Sequence, residues 1–127
     1  MSNDIILLVS RILLALVFLI SGLGMLSDPS GTAGMFAAMG IPASGLVAWL
    51  VIALKILGGI ALVAGFQTKW AAYAFAAFCV ATGFIGHFDP SNQMEMAVFF
   101  KNIAMAGGFL ALSVAGPGAL SVDARRG

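Results

Sequence analysis

Three cationic side chains fall inside long apolar stretches of the sequence. Arg11 lies in the first stretch, Lys55 at the centre of the second and Lys101 in the fourth. A charge inside a membrane-spanning helix costs at least about 2.5 kcal/mol and normally faces a bundle interior or a wet cavity. Arg11 and Lys101 are shallow enough for their side chains to extend to the lipid headgroups. Lys55 lies at the predicted midplane, where it needs a carboxylate partner, neutralisation by desolvation, or a ligand.

A second set of polar residues collects where the third apolar stretch ends and the fourth begins. A histidine and carboxylates beside a cation could bind a quinone head group or an oxyanion, or could relay protons. The alternative is a hydrated loop in which the positive end of a helix dipole stabilises the negative charge of Glu95. Together with the three cations, these residues form the candidate polar interior or ligand site: Arg11, Lys55, His87, Gln93, Glu95, Lys101 and Asn102.

Several chemistries are excluded by residue counts. One cysteine, Cys79, rules out an internal disulfide and a thiolate metal cage. One histidine rules out haem ligation by two histidines of a single chain. No metal or haem site is therefore expected, and no catalytic residue is assigned. Whether the protein is an enzyme stays open at this point.

The composition is that of a protein dissolved in a bilayer. Of the 127 residues, 61% are hydrophobic and 9% are charged, with a net charge of +1. An ordinary soluble domain has about 45–50% apolar and about 25% charged residues. So few charges cannot coat the surface of a small soluble fold. The composition excludes a soluble monomer, a disordered chain and a nucleic-acid partner.

Four apolar stretches are long enough to span a membrane, which takes about 20 residues. Lipid offers the backbone no hydrogen-bond partner, and the first stretch lacks the polar–apolar alternation of barrel strands, so helices are predicted. The segment 32–39 is predicted to be a short interfacial helix, with an irregular loop as the alternative. The predicted fold is an all-α, single-domain bundle over residues 1–127, with spans at about 5–27, 45–65, 70–87 and 96–116 and a polar tail at 117–127.

Small residues share helix faces with the cations, which predicts that both face the bundle interior. In the first span the face is Arg11, Ala15, Phe18, Gly22 and Met25. In the fourth span Lys101 lines up with Ala97, Ala104, Gly108 and Ala111.

Lysine and arginine in short loops predict the orientation, since they concentrate on the cytoplasmic side. Lys69, Arg125 and Arg126 lie on the side of both termini, and the loops at 28–44 and 88–95 have no such residue. The prediction is a multi-pass protein of a bacterial-type inner membrane, with both termini in the cytoplasm.

Four blocks of residues in order resemble the DoxX family of small four-helix membrane proteins. The first is Arg11-Ile12-Leu13 with Phe18–Gly24, and the second is Leu57–Leu62 with Gly65–Lys69. The others are His87 to Ala104 with Gly107-Gly108, and Ala115–Gly118 with Ser121–Asp123. The resemblance implies a link to quinone-coupled sulfur oxidation, terminal quinol oxidase complexes or oxidative-stress complexes. It also shows two departures, because the family pattern has a lysine where Met25 stands and an acid where Lys55 stands.

Three functions are compatible with these observations. The first is an accessory subunit of a membrane-bound redox complex, with a quinone as the candidate cofactor. The second is a small transporter or a lipid- or anion-binding protein, and the third is a purely structural membrane partner. The expected partners are the bilayer and either another membrane protein or further copies of this chain.

Overall fold

A computed structural model describes residues 2–126, and within that range the ordered elements are all helices. Four of these helices are long and apolar enough to cross a membrane, which confirms the predicted all-α, four-span architecture. The spans differ from their predicted limits by three residues at most. The helices are α1 (Asn3–Leu26), α2 (Pro29–Ala38), α3 (Ser44–Ala64), α4 (Thr68–His87), α5 (Gln93–Ala115) and α6 (Val122–Arg125).

The helix predicted between the first two spans is present as α2. It begins at Pro29, three residues earlier than predicted, because the preceding residues form a helix start. The Asp28 side chain accepts a hydrogen bond from the Gly31 N–H at 3.0 Å, and proline suits the first helical position, where no N–H is needed.

Aromatic rings from three spans fill the centre of the bundle. Phe18 of α1, Phe75 of α4 and Phe109 of α5 have ring centroids 4.5 to 5.7 Å apart. Leu62 of α3 is fully buried in the same cluster. The four spans therefore share one core.

The interior face of α1 is the one predicted, since its buried residues are Arg11, Ala15, Phe18 and Gly22. Helices α1 and α3 approach closely at Gly22. A Cβ atom there would lie 2.9 Å from Lys55 Cβ and 2.9 Å from Ile56 Cγ1.

The predicted interior face of the fourth span is wrong. Lys101 is exposed, as are three of the four small residues aligned with it (Ala97, Ala104 and Ala111). The buried residues of α5 are Phe99, Ala106, Phe109 and Leu112. The rotation of α5 is set by its large aromatic rings, which fill the core and turn the small residues and Lys101 outward.

Two spans contain a π-helical turn, at Leu54–Gly58 in α3 and at Gly83–His87 in α4. Such turns are frequent at functional sites. One contains Lys55 and the other ends at His87, two of the predicted site residues.

The two ends of the bundle have different structures. We call the end formed by Ser2, the turn at 65–67 and the segment 116–126 the terminal end. Its parts are joined by hydrogen bonds from Ala119 N to Asp4 Oδ1 and from Asp123 N to Gly65 O, both at 2.9 Å. The other end, formed by α2 and the loop at 88–92, is called the loop end.

Candidate functional site

Arg11 is fully buried at the terminal end, so its side chain does not extend to the lipid headgroups. Its Nη1 donates to the carbonyl oxygens of Leu62 and Val63 at 3.1 and 2.8 Å, and its Nη2 donates to the carbonyl of Leu120. The last carbonyls of a helix carry partial negative charge, which favours a cation at this position. Arg11 therefore joins α1, the end of α3 and the segment after α5.

The segment after α5 is fixed in place rather than being a free tail. The Asp123 carboxylate accepts hydrogen bonds from the backbone N–H groups of Gln67 and Thr68, at 2.7 and 2.9 Å, and so caps the start of α4. Burial by itself raises the pKa of Asp123, but the bonds from the Thr68 and Gln67 backbones outweigh it and hold that pKa below its usual range.

Close packing at this end requires glycine at position 65. Gly65 has φ +72°, and a Cβ atom there would clash with Ser121 Cβ and would lie 2.6 Å from Arg11 Nη1. We call Arg11, Gly65, Leu120 and Asp123, with the residues they bond, the terminal cluster. Its polar side chains form hydrogen bonds to backbone groups, so their role is structural.

Lys55 is half-buried and points along α1 toward the loop end. Its Nζ donates to Ser21 Oγ at 2.7 Å and to Met25 Sδ at 3.3 Å. Both partners lie in the last turns of α1, so the ammonium group is within about 8 Å of the helix end at 1.5 Å per residue. The backbone of Lys55 is central, but the long side chain carries the charge outward.

The polar set predicted at the loop end is centred on one pair. His87 Nδ1 lies 3.0 Å from Glu95 Oε2, and the two side chains are 37% and 40% exposed. His87 ends the π-helical turn of α4, while Glu95 lies in the first turn of α5, where Asn92 Oδ1 accepts hydrogen bonds from the N–H groups of Met94 and Glu95. The pair joins two spans and remains accessible.

A group of phenylalanine rings adjoins this pair in sequence and forms an apolar surface at the same end. Phe84, Phe88 and Phe99 have centroids 4.9 to 5.5 Å apart. Phe84 and Phe88 are exposed. A flat ring could lie against such a surface while its polar edge meets a neighbouring hydrogen-bonding pair.

The remaining predicted residues are separated from the His87–Glu95 pair. Asn102 lies deeper between α4 and α5, where its Nδ2 donates to Thr82 Oγ1 at 3.3 Å. Gln93 is exposed at the start of α5, and Lys101 is exposed on another face of that helix. The structure therefore brings His87 and Glu95 together and does not gather Arg11, Lys55 and Lys101 into a shared interior. Among residues 2–126 no three potential metal ligands are grouped.

Sequence reasoning missed the residues that bind the cations. Ser21 and Met25 are four residues apart, which places them on one face of α1 beside Lys55. That spacing was a usable signal. The three acceptors of Arg11 are backbone carbonyls, which every residue has, so the sequence does not indicate them.

Fold and polar groups together define a small helical integral membrane protein with four spans. The DoxX family model matches residues 6–88, and the chain belongs to the DoxX family. Inner membrane protein YqjF of Escherichia coli (strain K12) is 38% identical over 121 residues, covering 95% of this chain and 92% of the relative. Inner membrane protein YphA of the same strain is 34% identical over 129 aligned residues, with 98% and 92% covered. No solved structure matches the chain.

The two positions expected from the sequence to depart from the family pattern are in contact with each other. Lys55 Nζ donates to Met25 Sδ at 3.3 Å. A cation and an acid at these two positions would form a neutral pair. In this chain the same contact carries one uncompensated cation, since no carboxylate among the described residues lies within 4.0 Å of Lys55.

Proposed function

We propose that this protein is an accessory subunit of a membrane-bound redox complex, and that His87 and Glu95 bind the head group of a quinone at the loop end. The observation that carries the proposal is the half-exposed contact of 3.0 Å between His87 Nδ1 and Glu95 Oε2. Membership of the DoxX family supports the same class of function, although a fold alone does not define an activity.

The chemistry of these residues fits a quinone head group. In the proposed site Glu95 Oε2 accepts a hydrogen bond from His87 Nδ1–H, which leaves Nε2 as the ring nitrogen that can exchange a proton with a carbonyl oxygen. The exposed rings of Phe84 and Phe88 offer apolar surface to a planar ligand. A bound quinone would carry two electrons and two protons between the redox partner and the membrane pool.

An accessory role fits the residues better than independent catalysis. The single cysteine is buried in mid-span, where a thiol in apolar surroundings is inert. The proposal therefore assigns electron transfer to a partner protein in the same membrane. Chemical cross-linking in native membranes followed by mass spectrometry tests this, and recovery of the chain alone or only with copies of itself would contradict it.

Packing favours this role over transport. A transporter needs a path through its interior, and here the rings of Phe18, Phe75 and Phe109 fill the space between three spans. A purely structural partner remains the competing function, and it is distinguished by whether the His87–Glu95 pair is needed.

We also propose an inner-membrane location with both termini in the cytoplasm. The names of the two relatives support the location, and the distribution of Lys69, Arg125 and Arg126 supports the orientation. Single cysteines introduced at position 3 and at position 90, in a Cys79→Ala background, test it. An impermeant maleimide added to intact cells should label position 90 and spare position 3, and the reverse pattern would contradict the orientation.

Photolabelling with an azido-benzoquinone tests the quinone site. The wild-type protein in native membranes should be labelled between residues 83 and 100, and an excess of unmodified benzoquinone should suppress the label. His87→Ala and Glu95→Gln should each reduce it about tenfold, the effect of losing one charge-assisted hydrogen bond. Asp89→Asn is the matched control, because among the described residues the Asp89 side chain bonds only Ser91. Equal labelling of all four proteins would reject the site.

A further inference from the structure

A groove opens at the loop end between α1 and α2, separate from the His87–Glu95 pair. Its volume is about 390 Å³, and its lining includes Ser21, Met25, Asp28, Thr32 and Met35. Volumes of this size hold small ligands in proteins. Lys55 is not itself in the lining, but two lining residues, Ser21 and Met25, are its hydrogen-bond partners, so the ammonium group lies directly behind the inner wall of the groove.

Lys55 has unused binding capacity at this position. An ammonium group has three N–H donors, and among residues 2–126 the side chain uses two, one of them on a thioether, which is a weak acceptor. The Phe78 ring, 5.7 Å from Nζ, adds a cation–π contact but no negative charge. A cation in such surroundings is stabilised by a hydrogen-bonded anion.

Asp28 lies at the outer part of the same groove. Its Oδ1 accepts hydrogen bonds from Gly31 N at 3.0 Å and Ser30 Oγ at 3.4 Å. Within the described residues Oδ2 has no such partner, which leaves it open to a cationic donor. Asp28 is the N-cap of α2, and its N–H donates to Met25 O at 3.1 Å, which places it just beyond the end of α1. The groove thus has a cation behind its inner wall and a carboxylate in its outer part.

We propose that this groove binds a phosphoethanolamine group, with the phosphate on Lys55 and the primary ammonium on Asp28. The order of charges decides the ligand. In the headgroup of a phospholipid with this group, the phosphate lies nearer the bilayer core and the ammonium lies further out. Lys55 and Asp28 follow the same order. An anion without an ammonium group would place negative charge against Asp28, while a trimethylammonium group has no N–H to donate. The proposal is independent of the quinone site.

Lipid retention tests the proposal on the intact protein. The protein is purified in mild detergent with equal amounts of phosphatidylethanolamine, phosphatidylcholine and phosphatidylglycerol of identical chains, and bound lipid is counted by native mass spectrometry. We expect the wild type to retain phosphatidylethanolamine about tenfold over each of the others, the effect of one charge-assisted contact.

Two variants locate the contacts. Lys55→Gln should lower retention of phosphatidylethanolamine about tenfold. Asp28→Asn should abolish the preference over phosphatidylcholine while keeping the fold, because asparagine also caps helices. Lys101→Gln and Asp89→Asn are the matched controls and should retain lipid as the wild type does. Circular dichroism confirms that each variant is folded, and if Lys55→Gln fails to fold, Asp28→Asn decides.

Free phosphoethanolamine distinguishes the two sources of the ligand. If it does not displace the retained lipid at millimolar concentration, the ligand is the membrane lipid. If it binds, and no lipid is preferred, the ligand is a soluble compound with the same group. Equal retention of the three lipids without binding of free phosphoethanolamine overturns the proposal, as does wild-type behaviour of both variants.

Discussion

The two ends of this bundle hold their charged groups in opposite ways. At the terminal end, Arg11 donates to three carbonyl groups and Asp123 accepts from two backbone N–H groups. At the loop end, Lys55 contacts a hydroxyl and a thioether, and the His87–Glu95 pair is half-exposed. A charged group whose hydrogen bonds are all made to the backbone stabilises the fold. A charged group with donors or acceptors still free can bind a ligand. The difference supports a structural role for the terminal end and agrees with the proposal of ligand sites at the loop end.

Replacing Arg11 should give the largest loss of stability. Arg11→Met removes the donor of the Val63 and Leu120 carbonyls, while Leu62 O still accepts from Gly65 N. Each buried polar group without a partner costs about 1–3 kcal/mol, so the total loss should be about 2–6 kcal/mol. Titration of the detergent-solubilised protein with sodium dodecyl sulfate, followed by tryptophan fluorescence, measures it. Lys101→Met removes an exposed cation of the same class and should change stability by less than about 0.5 kcal/mol. Similar effects of the two changes would remove the distinction between the ends.

A methyl group at Gly22 should be the next most harmful change. Gly22→Ala forces Cβ to within 2.9 Å of Lys55 Cβ and Ile56 Cγ1, and such overpacking costs about 1–3 kcal/mol. Gly107→Ala is the matched control, because nothing lies within 4 Å of a Cβ there. It should be neutral or stabilising by up to about 1 kcal/mol. The same titration measures both, and a harmless Gly22→Ala would contradict the close approach of α1 and α3.

Removing the Asp123 cap should cost about 1 kcal/mol, a typical value for a lost helix cap. Because the pKa of Asp123 is lower in the folded protein than its usual value of about 3.9, its contribution is complete above that value. It is lost as the pH falls from about 4 through the lowered pKa. The wild type should therefore lose more stability than Asp123→Ala on acidification from pH 5 to 3. Asp89→Ala should follow the wild type, and parallel curves for all three would reject the cap.

Changes at the His87–Glu95 pair should have the smallest effect on stability. Both side chains are half-exposed, and exposed ion pairs contribute about 0–1 kcal/mol. His87→Ala and Glu95→Gln should therefore unfold within about 0.5 kcal/mol of the wild type in the same titration. A loss of stability as large as that expected for Arg11→Met would mean that the pair stabilises the fold. The two ends of the bundle would then not differ in role.

The sequence was enough to predict the four spans and the short helix, because hydrophobic length and turn residues act locally. The interior face of α1 was also predictable, since Ala15, Phe18 and Gly22 repeat with the helix period. The face of α5 was not, because the positions of Phe99 and Phe109 depend on rings contributed by other helices. The site shows the same limit. His87 and Glu95 are eight residues apart around one loop and their proximity was predictable, whereas the reach of Lys55 toward α1 depends on tertiary packing.

The hydrogen bond between Arg11 and Leu120 has a consequence for biosynthesis. The two residues are 109 positions apart, and at about 5–20 residues per second the ribosome needs about 5–20 s to cover that distance. During that interval the first span resides in the translocation machinery or the lipid. Its guanidinium lacks the Leu120 acceptor throughout, and it lacks the Leu62 and Val63 acceptors until α3 has been made. Final closure of the bundle therefore has to wait for the emergence of Leu120, so that folding is completed only late in translation.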